Sequence, residues 1–154
     1  MARTNQRSIP VVLFILAVAL VAARFVTQGV KQRATGDGVK WMTVEEGLQL
    51  ARTSNKPILL DFTADWCAPC HQLDAQVFQD AKLAKAINER FIPIRVVDRQ
   101  REEGRNSDEV AGLQRQFSVR GFPTVVIADI NGERTRMEGF GGRAKFEQMM
   151  ESVR

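Results

Sequence analysis

The chain has 154 residues, of which 44% are hydrophobic, enough for one domain with a hydrophobic core and an N-terminal appendage. Its formal net charge of +4 comes from the first 33 residues, which hold five basic residues and no acidic ones. Since the other 17 basic residues are balanced by all 18 acidic ones, the charge predicts no nucleic-acid-binding face. Two cysteines are also too few for the disulfide framework of a small secreted domain.

Residues 1–27 are predicted to be a signal-anchor. Ile9 to Ala23 carries no charge and follows Arg3 and Arg7, which is typical of a secretory signal or a membrane anchor. Such a helix spans about 22 Å, short of a bilayer core of about 30 Å, and the small residues of Val21 to Ala23 could serve for cleavage. We expect a single uncleaved span in the inner membrane with the rest of the chain in the periplasm. The alternative is a cleaved signal and a soluble periplasmic protein.

A flexible linker is predicted over residues 28–38, which are polar and show no apolar period, and a single domain is predicted over residues 39–154. Thr43 to Glu46 matches a capping box and begins a helix that ends before Asn55. The apolar run Ile58 to Phe62 then predicts a strand buried on both faces.

Both cysteines follow this strand, where the pattern changes to helical spacing near Ala68. A thiolate at a helix N-terminus is stabilised by free backbone N–H groups, and in Cys-x-x-Cys motifs the pKa of the first thiol falls from about 8.5 to roughly 7. Cys67 is therefore the predicted nucleophile. Cys70, one helical turn later, is placed to resolve a mixed disulfide, and Pro69 is tolerated in a first helical turn.

Two carboxylates are candidate proton carriers for this pair. Asp61 stands inside the buried strand, where burial penalises a charge, and this predicts a proton-transfer role near the cysteines. Asp74 lies four residues after Cys70 and hence on the same helix face. The alternative is that both are ordinary surface charges, with Asp61 facing water at the end of its strand and Asp74 facing water on its helix.

The remaining elements alternate between helix and strand. Arg99 to Asp108 is expected to be an exposed loop without a chemical role. The helix that begins near Ala68 is predicted to continue through Val77. The other predicted features are a helix capped by Asp80, a strand from Phe91 to Val97, a helix from Val110 to Phe117, a hairpin of Thr124–Ala128 and Arg134–Glu138, and a final helix from Arg143 to Ser152.

The motif Trp66 to Cys70, placed after Leu60-Asp61-Phe62, resembles the active site of the thioredoxin superfamily. Gly121 to Thr124 is similar to that family's cis-proline loop. The sequence from Thr63 to Cys67 is most similar to the corresponding segment in the C-terminal periplasmic domain of the DsbD-type thiol:disulfide interchange proteins. These proteins also carry an acidic residue near the position of Asp74.

The resemblance implies a thioredoxin-like α/β fold, a central mixed β-sheet flanked by helices. It implies a thiol:disulfide oxidoreductase whose only redox group is the Cys67–Cys70 disulfide, without a further cofactor or metal. Trp66, Pro69, Phe122 and Pro123 would bind substrate, with the bond before Pro123 in the cis form. The implied partners are disulfide-bearing extracytoplasmic proteins and a membrane or periplasmic electron donor.

Two other classes of function remain open from the residues alone. Cys67 to His71 also matches the Cys-x-x-Cys-His signature of c-type haem attachment, with His71 as axial ligand. The preceding strand and Pro69 speak against it, and a structural zinc site would lack a fourth ligand. A non-catalytic thioredoxin-fold binding or chaperone module would use the same apolar surface of Trp66, Phe122 and Pro123 without turnover.

Overall fold

The computed structural model describes residues 38–153, so the predicted anchor at 1–27 and nearly all of the linker at 28–38 lie outside the described residues. Within 38–153, no helix is both long and apolar enough to cross a membrane. The elements in chain order are α1 Val44–Thr53, β1 Ile58–Ala64, α2 Ala68–Leu73, a π-helical turn Asp74–Phe78, α3 Ala81–Arg90, β2 Ile92–Asp98, α4 Gln100–Glu103, α5 Asp108–Gln116, β3 Thr124–Asp129, β4 Gly132–Glu138 and α6 Arg143–Glu151.

The four strands form one mixed sheet in the order β2-β1-β3-β4. β1 runs parallel to β2 and antiparallel to β3, and β3 and β4 form the predicted antiparallel hairpin. At the hairpin turn, the N–H of Asn131 donates to Asp129 Oδ1 at 2.8 Å, and Gly132 takes a φ of +112° that favours glycine.

Helices cover both faces of the sheet because β1 is apolar on both sides. Leu59 packs on one face with residues of α2, α3 and α6, whereas Leu60 packs on the other with residues of α1 and α5. The three-layer α/β arrangement predicted from the sequence is therefore confirmed. Asp61 alternates onto the same face as Leu59, which is also the face of the cysteine-bearing helix.

Two predicted helix starts are confirmed by their hydrogen bonds. Thr43 and Glu46 form a reciprocal capping box at α1. Asp80 caps α3 by accepting from the N–H groups of Lys82 and Leu83. The Leu83 N–H and the Arg143 guanidinium hold the pKa of Asp80 below its ordinary value, so this cap contributes at neutral pH and is lost as the pH falls through the lowered pKa.

The helix after the cysteines differs from the prediction of one uninterrupted helix through Val77. It is α-helical only to Leu73 and continues as a π-helical turn, in which Gln79 N–H donates to Asp74 O at 2.9 Å. Single π-turns of this kind accommodate one extra residue and are frequent at functional sites. Here both Val77 and Phe78 are buried in the core.

Candidate redox site

The two cysteines lie at the start of α2, shortly after the end of β1. Cys67 is the N-cap of α2, and its sulfur is bonded to that of Cys70 at 2.11 Å. The backbone N–H of Cys70 donates to Cys67 Sγ at 3.2 Å. When the disulfide is opened, this donor favours negative charge on the sulfur of Cys67 over that of Cys70.

An apolar lip stands beside the disulfide. Cys67 and Cys70 are 2% and 3% exposed, and Phe122 packs against the small cluster that they form with Ala64. Trp66 is 47% exposed and meets Phe122 edge to face, with ring centroids 6.0 Å apart. The two rings thus form an aromatic surface beside the sulfurs.

The loop that carries Phe122 is fixed to the sheet. The Phe122–Pro123 bond is cis, as the sequence predicts, and Pro123 is buried while Pro69 is exposed in the first turn of α2. The hydroxyl of Thr124 donates to the carbonyl of Gly121 at 2.8 Å, which closes the turn. The backbone before β3 is thereby held beside the cysteines instead of extending the strand.

Asp61 is buried beneath the site and is neutralised by Arg95, its partner in the parallel register of β1 and β2. Arg95 Nε donates to Asp61 Oδ2 at 3.1 Å, and Arg95 Nη2 donates to Asp74 Oδ1 at 2.6 Å. One guanidinium thus joins the two carboxylates that the sequence singled out. Burial disfavours the charged form of Asp61, and the guanidinium favours it.

Arg95 itself was not predicted as a site residue. Its guanidinium carbon lies 4.2 Å from the ring centroid of Trp41 and 5.5 Å from that of Phe78. A signal was present in the sequence, because Arg95 is the only charged residue between Phe91 and Val97, as Asp61 is in its own apolar run. Two lone opposite charges in neighbouring buried strands are expected to pair.

The groups on which the haem and zinc alternatives depend make other contacts in this structure. Both sulfurs are engaged with each other, whereas thioether attachment of haem would need each of them separately. His71 Nε2 lies 3.0 Å from the carbonyl oxygen of Asp65. Among residues 38–153, no group of three or more His, Cys, Asp or Glu side chains is placed to hold a metal ion.

Comparison with known proteins identifies the family. A sequence profile of the thioredoxin-like domain matches residues 44–154. The chain belongs to the thioredoxin-like domain family. Its fold is that of thioredoxin-type thiol:disulfide oxidoreductases, whose redox group is a disulfide such as the Cys67–Cys70 pair.

Individual relatives agree with this assignment. The thiol:disulfide interchange protein DsbD of Salmonella paratyphi A is 30% identical over 144 residues, which cover 87% of this chain and 24% of the relative. DsbD of Yersinia pestis is 30% identical over 107 residues, covering 68% of this chain and 17% of the relative. The chain thus spans a quarter or less of the length of these relatives.

Solved structures share the fold. A DsbH oxidoreductase superposes with a TM-score of 0.62 at 26% identity, over 75% of this chain and 84% of that one. A thioredoxin from Thermus thermophilus gives a TM-score of 0.62 at 25% identity, over 75% of this chain and 87% of that one. The resemblance inferred from the motifs is therefore confirmed.

The segment after β2 contacts the residues that precede the disulfide, although no role for this segment was predicted. Arg99 Nη1 donates to Asp65 Oδ2 at 2.5 Å, and the Arg101 guanidinium carbon lies 4.8 Å from the centroid of the Trp66 ring. The loop predicted as merely exposed therefore braces the two residues that precede Cys67.

Asp98 anchors that segment from the end of β2. Its Oδ2 accepts from Asn106 Nδ2 at 2.5 Å and from Gln114 Nε2 at 2.8 Å, and its Oδ1 accepts from the N–H of Gln100 at 3.2 Å. The carboxylate is almost fully buried. It holds both ends of the loop to the sheet.

Asp98→Ala is expected to lower the free energy of unfolding by about 1 to 3 kcal/mol, because two amide groups lose their buried acceptor. Urea denaturation followed by circular dichroism measures the loss. Glu103→Ala, which removes an exposed carboxylate of α4, is the control and should change the free energy by less than about 0.5 kcal/mol. An equal, small effect of both substitutions would show that Asp98 does not anchor the loop.

Proposed function

We propose that this chain is an exported, membrane-tethered oxidoreductase that reduces disulfides in extracytoplasmic proteins through the Cys67/Cys70 dithiol. The observation that carries the proposal is the position of Cys67, which caps α2 under an exposed aromatic lip and accepts a backbone N–H on its sulfur. A thiolate is stabilised there, and the lip is a surface on which a polypeptide can lie.

The reaction transfers two electrons and two protons from the dithiol to a substrate disulfide. The Cys67 thiolate attacks one substrate sulfur, forms a mixed disulfide and expels the other substrate sulfur as a thiolate, which takes up a proton. Cys70 then loses its proton and attacks the sulfur of Cys67. The second substrate thiolate leaves and is protonated, and the Cys67–Cys70 disulfide is formed. A donor dithiol must reduce it again.

We assign the proton of Cys70 to the pair of carboxylates joined by Arg95. Asp61 is buried on the sheet face that carries α2, and the N–H of Asp74 bonds to the Cys70 carbonyl. In this assignment Asp61 accepts the proton as Cys70 attacks, and Asp74 pairs with the same guanidinium group of Arg95. Trp66, Pro69, Phe122 and Pro123 receive the substrate backbone.

The motif and the relatives support the proposed direction of electron flow. Trp66 to Cys70 has the Trp-Cys-x-Pro-Cys form of reducing thioredoxins, and the relatives at 30% identity are thiol:disulfide interchange proteins. An exposed dithiol in an oxidising compartment stays reduced only while electrons are supplied. The proposal therefore includes a membrane or periplasmic electron donor as the second partner.

The reductase proposal is tested with a disulfide-bearing model protein, insulin. The full chain, reduced beforehand and freed of reductant, should open one insulin disulfide per molecule, which releases two insulin thiols, and end as the Cys67–Cys70 disulfide. A chain that binds insulin but releases no thiols would instead be a binding module. A visible absorbance band of covalently bound haem in the purified protein would indicate the electron-transfer alternative.

The tether predicts a fixed topology. The chain should sediment with the inner membrane, and protease added to spheroplasts should digest residues 39–154 without lysis, because Arg3 and Arg7 hold the N-terminus in the cytoplasm. Immunoblotting of membrane and soluble fractions measures this. A soluble periplasmic product that begins at Arg24 would replace the anchor with a cleaved signal.

A further inference from the structure

An open pocket of about 590 Å³ lies between α4, the end of α5 and the segment that leads to the cis-proline loop. Three of its lining side chains are arginines, Arg105, Arg115 and Arg120, and the other lining residues are neutral. Acidic residues slightly outnumber basic ones in residues 38–153 as a whole. The pocket is therefore a local concentration of positive charge.

These three arginines differ from most others in the domain. Arg95, Arg99, Arg134, Arg136 and Arg143 each form an ion pair with a carboxylate. Within residues 38–153, no ion pair involves Arg105, Arg115 or Arg120, and all three are exposed. The nearby acids Glu102 and Glu103 do not line the pocket. The positive charge is consequently available to an external group.

Two lining residues of the pocket lie close in sequence to residues that contact or form the aromatic lip. Gln100 lines it, and the next residue, Arg101, contacts the ring of Trp66. Arg120 lines it as well and stands two residues before Phe122, the second ring of the lip. A chain that lies across the lip can therefore place neighbouring side chains in the pocket.

We infer that this pocket binds carboxylate side chains of the protein whose disulfide is presented to Cys67, so that the enzyme selects substrates with acidic residues near the target cysteine. The inference rests on the proposed reductase function, since that reaction brings a polypeptide to the lip. Guanidinium groups recognise carboxylates through paired, charge-assisted hydrogen bonds, and a cluster of like charges accelerates encounter with an oppositely charged partner.

The test uses three synthetic peptides of equal length, each carrying one cysteine in a disulfide with a chromogenic thiol. Four residues near the cysteine are all glutamate, all glutamine or all lysine. The second-order rate constant for chromophore release by the reduced full chain is measured by stopped flow at low and high salt. At low salt we expect the glutamate peptide to react roughly ten times faster than the lysine peptide, with most of this ratio lost at high salt.

Two triple variants, each of which removes three positive charges, show which part of the protein causes the preference. Arg105→Gln/Arg115→Gln/Arg120→Gln should remove the preference while leaving the glutamine peptide's rate within about twofold. Lys40→Gln/Arg52→Gln/Lys82→Gln, which alters exposed residues outside the pocket, should keep the preference. Loss of preference in both variants would assign it to net charge and overturn the inference.

The remaining outcomes separate the inference from the reductase function. Equal rates for all three peptides with the unmodified chain would overturn the pocket's role and leave the reductase proposal intact. Rates no faster than those of Cys67→Ser for every peptide would overturn both. A fluorescent oligonucleotide that binds the unmodified chain but not the pocket variant, together with equal peptide rates, would identify a nucleic-acid surface instead.

Discussion

Cys67→Ser is expected to reduce the rate of insulin reduction to that of a reaction without protein. In the proposed reaction every turnover begins with attack by the sulfur of Cys67, and a serine hydroxyl, unlike the thiol of a Cys-x-x-Cys motif, stays protonated at neutral pH. The substitution replaces sulfur by oxygen at a position that is 2% exposed, so the fold should be kept. Thiol release from insulin, with circular dichroism to verify folding, measures both parts of this expectation.

Cys70→Ser is the matched variant, because it keeps the attacking thiol and removes the resolving one. We expect it to accumulate mixed disulfides with substrate, visible as reductant-sensitive adducts on a gel, while Cys67→Ser forms none. In the reduced native chain, iodoacetamide at neutral pH should label Cys67 before Cys70, because the N–H of Cys70 stabilises the Cys67 thiolate. Equal labelling and an absence of adducts would contradict this division of roles.

Arg95→Met is expected to cost about 3 to 5 kcal/mol in the free energy of unfolding of the oxidised protein. The substitution leaves Asp61, which is 1% exposed, as a buried carboxylate without its guanidinium partner at 3.1 Å. It also removes the cation from the ring of Trp41. Urea denaturation measures the loss, and Arg95→Met/Asp61→Asn should be more stable than Arg95→Met because no charge is then left buried.

A surface ion pair supplies the control for this experiment. Arg134 pairs with Asp129 at 3.3 Å near the β3–β4 turn, where about half of the arginine side chain is exposed. Arg134→Met should cost about 1 kcal/mol or less. If Arg95→Met costs no more than Arg134→Met, Arg95 does not neutralise Asp61 in the way that the distances indicate.

Local sequence patterns were sufficient for much of the fold. The alternation of apolar runs with helical spacing placed every strand of the sheet, and capping residues such as Thr43 and Asp80 marked helix starts, because these features depend on residues close in sequence. The observed ends of the strands differ from the predicted ends by a few residues. β1, for example, extends to Ala64, since its pairing with β2 continues past the apolar run.

Contacts between distant segments could not be predicted in the same way. Asp61 was recognised as unusual within its strand, but its pairing with Arg95 follows only when the lone charges of both strands are compared, because the pattern of one strand does not specify the register of β1 against β2. The same holds for Arg101, which reaches Trp66 from a segment that reads as a charged loop. The π-helical turn at Asp74 was also missed, because its residues show ordinary helical spacing.

The reduction potential of the Cys67–Cys70 pair tests the proposed direction of electron transfer most directly. Reducing members of this fold have potentials near −270 mV and the strong oxidant near −120 mV, a gap of roughly 7 kcal/mol for two electrons. A glutathione or dithiothreitol redox titration of the full chain should place the pair below about −200 mV. A value near −120 mV would contradict the reductase assignment and make this protein a donor of disulfides.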